Sequence, residues 1–249
     1  MPKNSPLLLL TLFCIVLIPL LFFLRADMLL RPSLNDSCDP LRNALERSDN
    51  GEHIKPDSTL VLGANAAIRW RRPPDSVNGV ALLIRGIAGL HPQQIGLCYA
   101  RLIAHYHPQN VVILTDPRWA DDRIDTMANA LEGIVAARDS LGRSDRIFAL
   151  SFLLTPANQQ DDQRIQTQNV ALNHVADAST GVEILDINDS LRGSGGNPAP
   201  RFFWPDGQTL NKAGYEYLSA AIENAISAAP MPPNELSSSH ARPASNDNT

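Results

Sequence analysis

From about residue 58 onward, the chain alternates between short apolar runs and longer segments with helical periodicity. Five runs rich in β-branched residues have the length of buried strands: Thr59–Leu62, Val80–Ile84, Val111–Leu114, Ile147–Leu153 and Val182–Leu185. The other segments have the apolar spacing of amphipathic helices, near Gln93–His105, Arg123–Asp139, Asp162–Ala176 and Ala213–Ser227. Strands that are apolar on both faces and alternate with helices predict an α/β fold, in which helices cover both sides of a parallel sheet.

Residues 7–24 form an uninterrupted apolar stretch without a charged side chain. As a helix it would cover about 27 Å, close to the hydrocarbon thickness of a bilayer. The sequence that follows, Leu24-Arg25-Ala26-Asp27-Met28, lacks the small residues of a signal-peptide cleavage site. We therefore predict a retained signal anchor over residues 1–27. Because the leading tail is very short, we expect a single-pass protein whose C-terminal part is exported to the periplasmic or extracellular side.

Three further segments follow the predicted transmembrane helix. Residues 28–57 are a spacer in which Asp39-Pro40 is typical of a helix start, and this predicts a short amphipathic helix over Leu41–Arg47 that packs on the domain. Residues 58–228 form the predicted α/β domain. Residues 229–249 are rich in Pro, Ser and Asn, with few large apolar side chains, and are predicted to be disordered.

The composition narrows the possible partners. With 21 Lys and Arg against 26 Asp and Glu, the net charge is −5, and no basic stripe suits a nucleic-acid backbone. The three cysteines, Cys14, Cys38 and Cys98, lack the close spacing of a zinc site, and we predict neither a metal nor a cofactor. If the domain is exported, Cys38 and Cys98 share an oxidising compartment and could form a bridge. Two separate buried thiols are the simpler arrangement.

Ligands of such sheets bind beyond the carboxyl ends of the strands, so the loops there are the most informative segments. The first loop region reads Val61-Leu62-Gly63-Ala64-Asn65 with Ile68-Arg69-Trp70 shortly after, the second reads Arg85-Gly86-Ile87-Ala88-Gly89-Leu90, and a late segment reads Asp206-Gly207-Gln208-Thr209-Leu210-Asn211-Lys212-Ala213-Gly214-Tyr215. On these blocks, residues 58–226 resemble the SGNH (GDSL-type) hydrolase family. The late segment is similar to the family's D-G-x-H-L-N-x-x-G-Y block and differs from it only at the His.

The resemblance implies a flavodoxin-like three-layer α/β/α sandwich with a five-stranded parallel sheet. It also implies where the catalytic groups of such enzymes would fall. The nucleophilic Ser falls on Asn65 and the general-base His on Thr209, while the triad Asp is retained as Asp206 and the oxyanion-hole Gly as Gly89. The oxyanion-hole Asn falls near Arg118. Without a nucleophile or a base, the acyl-enzyme route of a serine hydrolase is closed.

These replacements predict a catalytically degenerate, membrane-anchored protein of the cell envelope that binds a glycan, an acyl ligand or a protein partner. Arg118, Trp119 and His91 are the candidate ligand-binding residues, because a guanidinium beside an indole suits a carboxylate, phosphate or sugar. Their simpler interpretations are a solvated arginine, a packing tryptophan and a helix-start residue. Asp121 and Asp122 are interpreted as acids in the first turn of a helix.

Two other functions remain open from the sequence alone. The first is an ester hydrolase or O-acyl-handling enzyme of the SGNH superfamily with a non-standard site, in which a group such as His91 acts as the base. The second is a scaffolding membrane protein whose pocket is filled. A nucleophile and a base in hydrogen-bond contact would favour the enzyme, whereas the absence of a cavity at the strand ends would favour the scaffold.

Overall fold

A computed structural model describes residues 34–50, 56–120 and 126–228. The predicted transmembrane helix at residues 7–24, the predicted disordered tail at 229–249, and the pair Asp121 and Asp122 lie outside these described residues. Within the described residues, no helix has the length and hydropathy that crossing a membrane requires.

A six-stranded sheet forms the centre of the domain. Its strands are β1 (Thr59–Gly63), β2 (Ser76–Val77), β3 (Val80–Gly86), β4 (Asn110–Leu114), β5 (Arg146–Leu150) and β6 (Val182–Leu185). Their order is β2-β3-β1-β4-β5-β6, and β3, β1, β4, β5 and β6 run parallel, in the flavodoxin-like order.

The sheet is mixed, which corrects the prediction of a wholly parallel five-stranded sheet. The additional strand, β2, pairs antiparallel with β3 at the edge. Asn78 and Gly79 connect the two strands, and both have positive φ, at 52° and 77°. An Asn-Gly pair in this conformation is a characteristic two-residue hairpin turn. The sequence therefore contained a signal for β2, but two residues are too few to show as an apolar run.

Helices cover both faces of the sheet and complete three layers. They are α1 (Leu34–Asp49), α2 (Asn65–Arg69), α3 (Pro92–Leu97), α4 (Tyr99–Leu102), α5 (Thr126–Ser140), α6 (Asp162–Ala178) and α7 (Lys212–Ala228). Alternate residues of each strand point to opposite faces, so β1 contributes Leu60 and Leu62 to one core and Val61 to the other. The first core contains α1, α3, α4, α5 and α6, and the second contains α2 and α7.

Helix α1 is longer than the sequence pattern predicts. It begins at Leu34, so Pro40 lies inside the helix and does not open it. A proline there removes one backbone hydrogen bond, and the helix continues because tertiary contacts hold it. Cys38 and Leu41 are buried in the first core.

Both ends of α1 are fixed to the domain. Cys38 forms a disulfide with Cys98, with Cα atoms 5.6 Å apart, so the arrangement of two separate thiols is wrong. At the other end, Asp49 accepts hydrogen bonds from Arg85 Nε at 2.8 Å and from the Tyr106 hydroxyl at 2.9 Å. Arg85 is buried within the sheet. The spacer helix is therefore an integral part of the folded domain.

The predicted helix near 93–105 is divided into α3, α4 and a 3₁₀ turn at Ala104–Tyr106. Cys98, at the junction of α3 and α4, has a non-helical ψ of 19°. Gly96 of α3 packs closely on α5, because a Cβ at this position would lie 2.9 Å from the carbonyl carbon of Gly133. This contact sets how near the two helices approach.

Candidate functional site

A cavity of about 100 Å³ opens at the carboxyl ends of the central strands. The sheet order reverses next to β1, where β3 lies on one side and β4 on the other, and this is the position at which doubly wound folds bind ligands. Asn65, Arg69, Asp116, Arg118, Asp206 and Thr209 all contribute to its lining. The structure thus brings four of the sequence-predicted site residues, Asn65, Arg118, Asp206 and Thr209, into one cavity.

Asn65 is the first residue of α2, directly after the turn that follows β1. Its backbone N–H points into the site and donates a hydrogen bond to Asp116 Oδ2 at 3.1 Å. Its side-chain amide is half-buried and carries no group that a base could convert into a nucleophile.

Asp116 is a buried carboxylate neutralised by one arginine. Arg118 donates to it through Nε at 2.9 Å and through Nη2 at 3.1 Å, a bidentate ion pair in which the aspartate side chain is 2% exposed and the arginine side chain 55%. Burial by itself would raise the pKa of Asp116, but hydrogen bonds from the Arg118 side chain and backbone, together with the N–H of Asn65, lower it below its usual value. Asp116 is therefore ionised at neutral pH.

Asp206 lies in the turn before α7 and is held by its own loop. The backbone N–H groups of Gln208 and Thr209 each donate to Oδ1 at 2.9 Å, and the Thr209 hydroxyl donates to Oδ2 at 2.8 Å. Arg69 adds an ion pair to Oδ2 at 2.7 Å. Burial would raise the pKa of Asp206, but these hydrogen bonds bring it down to about 2.

Arg69, like Asp116, is a site residue that sequence reasoning did not single out. One of its terminal nitrogens contacts both the Asp206 carboxylate and, at 3.0 Å, the Thr209 hydroxyl. The guanidinium therefore binds both residues, which also contact each other directly. Arg69 lies four residues after Asn65 on α2, a spacing that places both side chains on one helix face, so the signal was present in the sequence.

The chemistry open to this cavity is limited. Its two carboxylates are ionised and each is paired with an arginine, so neither can donate a proton at neutral pH. The Thr209 hydroxyl contacts Asp206, yet a carboxylate with a pKa of about 2 is too weak a base to activate an alcohol. Among the described residues that line the cavity there is no histidine, cysteine or lysine.

Three candidate residues lie elsewhere. Trp119 is buried and donates its indole N–H to the backbone carbonyl of Leu90 at 3.1 Å, so its role is packing. His91 is exposed at the start of α3, where its backbone N–H binds the Gln94 side chain. Gly89 has a φ of 73° in the exposed turn before α3, a conformation that favours glycine, and does not line the cavity.

Within 34–50, 56–120 and 126–228 there is also no cluster of three or more side chains suited to a metal ion.

No protein-family model and no curated protein matches the sequence. Solved structures do match. A Streptococcus pneumonia protein described as a platelet activating factor shares 22% identity at a TM-score of 0.61, covering 81% of this chain and 98% of its own. A GDSL-like lipase from Bacteroides thetaiotaomicron shares 17% identity at a TM-score of 0.61, covering 75% of this chain and 97% of its own.

An acetylxylan esterase from Geobacillus stearothermophilus, solved as a catalytic mutant, is similar at a TM-score of 0.54 and 16% identity. The similarity covers 70% of this chain and 96% of the esterase. Likenesses at these identities establish the fold. The chain has the α/β fold of the SGNH-type hydrolases, which confirms the resemblance found in its sequence blocks.

Proposed function

We propose that this chain is a membrane-anchored, cell-envelope protein with an SGNH-type fold that has lost hydrolysis and acts by binding. The observation that carries this proposal is that the cavity contains two closed ion pairs and, among its described residues, no group that titrates near neutral pH. A serine hydrolase needs a nucleophile, a base and free oxyanion donors at this position.

Occupation of the oxyanion position by the protein itself supports the loss of hydrolysis. In serine hydrolases the backbone N–H of the nucleophilic residue commonly stabilises the developing oxyanion. Here the corresponding N–H, on Asn65, already binds the ionised Asp116 carboxylate. A substrate oxyanion would have to displace a fixed negative charge or lie beside it, and both are unfavourable.

The place of the general base is also filled. Asp206 would orient the imidazole of an active enzyme, but here it is saturated by its own loop and by Arg69. Arginine stays protonated at any physiological pH, so it cannot accept a proton from an attacking group. Thr209 at the position of the family's His, and the Arg69 contact to Asp206, therefore both support the absence of a general base.

Two features support the proposed location in the envelope. Residues 7–24 have the length and hydropathy of a membrane span. The disulfide between Cys38 and Cys98 is of a kind that persists mainly in oxidising, exported compartments. We propose a glycan, an acyl group or a protein partner of the envelope as the bound molecule.

An assay of ester hydrolysis tests the proposal. We expect the purified chain to hydrolyse short-chain p-nitrophenyl esters no faster than buffer, and the Asn65→Ala variant to behave identically. Thermal stabilisation by acylated and plain oligosaccharides tests binding on the same sample. Turnover that survives Asn65→Ala but disappears in His91→Ala would contradict the proposal and favour an ester hydrolase with a non-standard base.

A further inference from the structure

A second and larger cavity adjoins the first. It measures about 310 Å³ and shares two lining residues with the first cavity, Arg69 and Tyr215. We call it the basic groove, after Arg71, Arg72 and Lys212 on its walls. Its volume lies at the lower limit of pockets that hold small ligands, whereas the first cavity is well below that limit.

The charge of the basic groove is not balanced by its own walls. Four cationic side chains line it, those of Arg69, Arg71, Arg72 and Lys212. Arg69 is paired with Asp206, and the single carboxylate of the lining, that of Glu216, contacts Lys212 at 3.6 Å. Arg71 and Arg72 are exposed, and within the described part of the chain neither forms an ion pair. The groove is therefore a local positive region on a protein whose net charge is −5, and it attracts an anion.

An exposed indole lies beside these cations. Trp204 is 46% exposed, although it is among the largest apolar side chains of the domain. A flat apolar face next to guanidinium groups suits a ligand that has both an apolar ring face and a negative substituent. A sugar ring that carries a carboxylate or a phosphate has both properties.

The groove is fixed relative to the first cavity. The Trp204 backbone N–H donates to the Thr209 carbonyl at 2.7 Å, so this indole belongs to the same loop as Asp206. Tyr215 stacks on Trp70 at 5.3 Å between ring centroids and donates its hydroxyl to the Ala66 carbonyl at 2.6 Å. These contacts fix Tyr215, on the groove wall, to α2 and to Trp70. Because Arg69 and Tyr215 line both cavities, a ligand in the groove would lie next to the first cavity.

We propose that the basic groove binds an anionic sugar, with the acidic substituent on Arg71 and Arg72 and the ring face on Trp204. This rests on the proposed function, in which the chain binds and does not hydrolyse. A concave groove with an indole on its wall favours a sugar over a flat lipid surface. The acid of the sugar is a carboxylate or a phosphate, since guanidinium groups bind either in bidentate geometry.

Titration of the full chain in neutral detergent micelles tests the proposal. The probes are trigalacturonate, mannose 6-phosphate, neutral maltotriose and triglutamate. Binding of each probe is measured by calorimetry and by acrylamide quenching of tryptophan fluorescence. Of the three tryptophans, Trp70 and Trp119 are buried, so the quenching reports mainly on Trp204. We expect an anionic sugar to bind and to protect Trp204, with maltotriose and triglutamate at least about tenfold weaker.

Variants locate the binding. Arg71→Ala with Arg72→Ala, and separately Trp204→Ala, should each weaken binding about tenfold or more, while Trp204→Phe retains most of it. Arg101→Ala, which removes an exposed arginine on α4, is the matched control and should change nothing. Higher salt should weaken the complex.

Several results would overturn the inference. Equal binding of triglutamate would show electrostatic attraction without sugar recognition, and binding insensitive to Trp204→Ala would place the ligand elsewhere. Binding only to micelles that contain phosphatidylglycerol would indicate a lipid surface. The ester assay on the same preparation separates the two proposals. Ester hydrolysis would contradict the proposed function and would leave the result of the groove titration unchanged. If no probe binds, only the proposed anionic-sugar site is contradicted.

Discussion

The Arg69 guanidinium binds both Asp206 and Thr209, the two positions onto which the resemblance maps the Asp and His of a catalytic relay. Asp116 similarly holds the N–H of Asn65. If the proposed function is correct, a Ser at position 65 and a His at position 209 would leave both of these contacts in place. A histidine at position 209 would compete with Arg69 for the same Asp206 oxygen.

We expect the double variant Asn65→Ser with Thr209→His to remain at background in a p-nitrophenyl acetate assay. Adding Arg69→Ala and Asp116→Gly frees the aspartate and the backbone donor. The rate of ester hydrolysis by this quadruple variant should then exceed that of the double variant by about a hundredfold, which is the typical effect of one restored oxyanion donor. The matched control is a quadruple variant that carries Arg101→Ala and keeps Arg69. Measurable turnover by the double variant alone would contradict this account of the site.

The pKa of Asp206 also predicts how stability changes with pH. In the folded chain the pKa of Asp206 is about 2, against about 3.9 in an unfolded chain. A carboxyl whose folded pKa is depressed adds stability above its unfolded pKa and loses it as the pH falls toward the folded value. The lowered pKa of Asp116 acts in the same direction.

We therefore expect the thermal midpoint to fall between about pH 4 and pH 2. The Asp206→Asn variant should show a shallower fall over this window in thermal scans. Asp189→Asn, which removes a carboxylate whose side chain is fully exposed, is the control and should keep the wild-type slope. An Asp206→Asn profile parallel to the wild-type profile would contradict the assignment.

At the scale of elements, the contact between α3 and α5 provides a matched pair of glycines. A Cβ on Gly96 would lie 2.9 Å from the Gly133 backbone, while a Cβ on Gly133 would meet nothing within 4 Å. We expect Gly96→Ala to lower the free energy of unfolding by about 1–3 kcal/mol through overpacking. Gly133→Ala should be neutral or stabilise by up to about 1 kcal/mol through helix propensity. Denaturant unfolding measures both, and equal effects would be inconsistent with this packing.

The bridge between α1 and the start of α4 closes a loop of 60 residues. On the chain-entropy account, closing such a loop contributes about 4 kcal/mol, or about 10 °C in the thermal midpoint of a domain of this size. We expect the double variant Cys38→Ser with Cys98→Ser to lose about this much in thermal unfolding. Cys14→Ser is the matched control and should be unchanged.

The sequence predicted the parallel strands and the main helices, because apolar periodicity is a property of the chain itself. It missed β2, whose signal is an Asn-Gly turn and not an apolar run. The sequence also predicted too short a helix α1, because Asp39-Pro40 is a strong local start signal. The disulfide that holds the preceding turn could not be read locally, since its partner Cys98 is distant in the sequence. The sequence blocks predicted that Asn65, Asp206 and Thr209 share a site, and the three residues line one cavity. The blocks could not show that Arg69 binds Asp206 or that Asp116 binds Asn65, because those contacts join separate loops.

At the scale of the whole molecule, the proposed orientation is testable through the oxidation state of the cysteines. We expect Cys38 and Cys98 of the full chain, trapped by alkylation in living cells, to react only after reduction. A chain without residues 1–27 would stay in the cytoplasm and should be alkylated at both positions. Mass spectrometry of the peptides distinguishes the two states, and free thiols in the full chain would contradict export.

The fixed ends of α1 have a geometric consequence if residues 7–24 span a bilayer. The helix that starts at Leu34 is joined covalently to the domain through Cys38, so only about ten residues separate the lipid from the folded body. Fully extended, they reach at most about 35 Å. The domain then stays within about one domain diameter of the membrane surface to which it is attached. The molecules it can meet are those that pass through this thin layer.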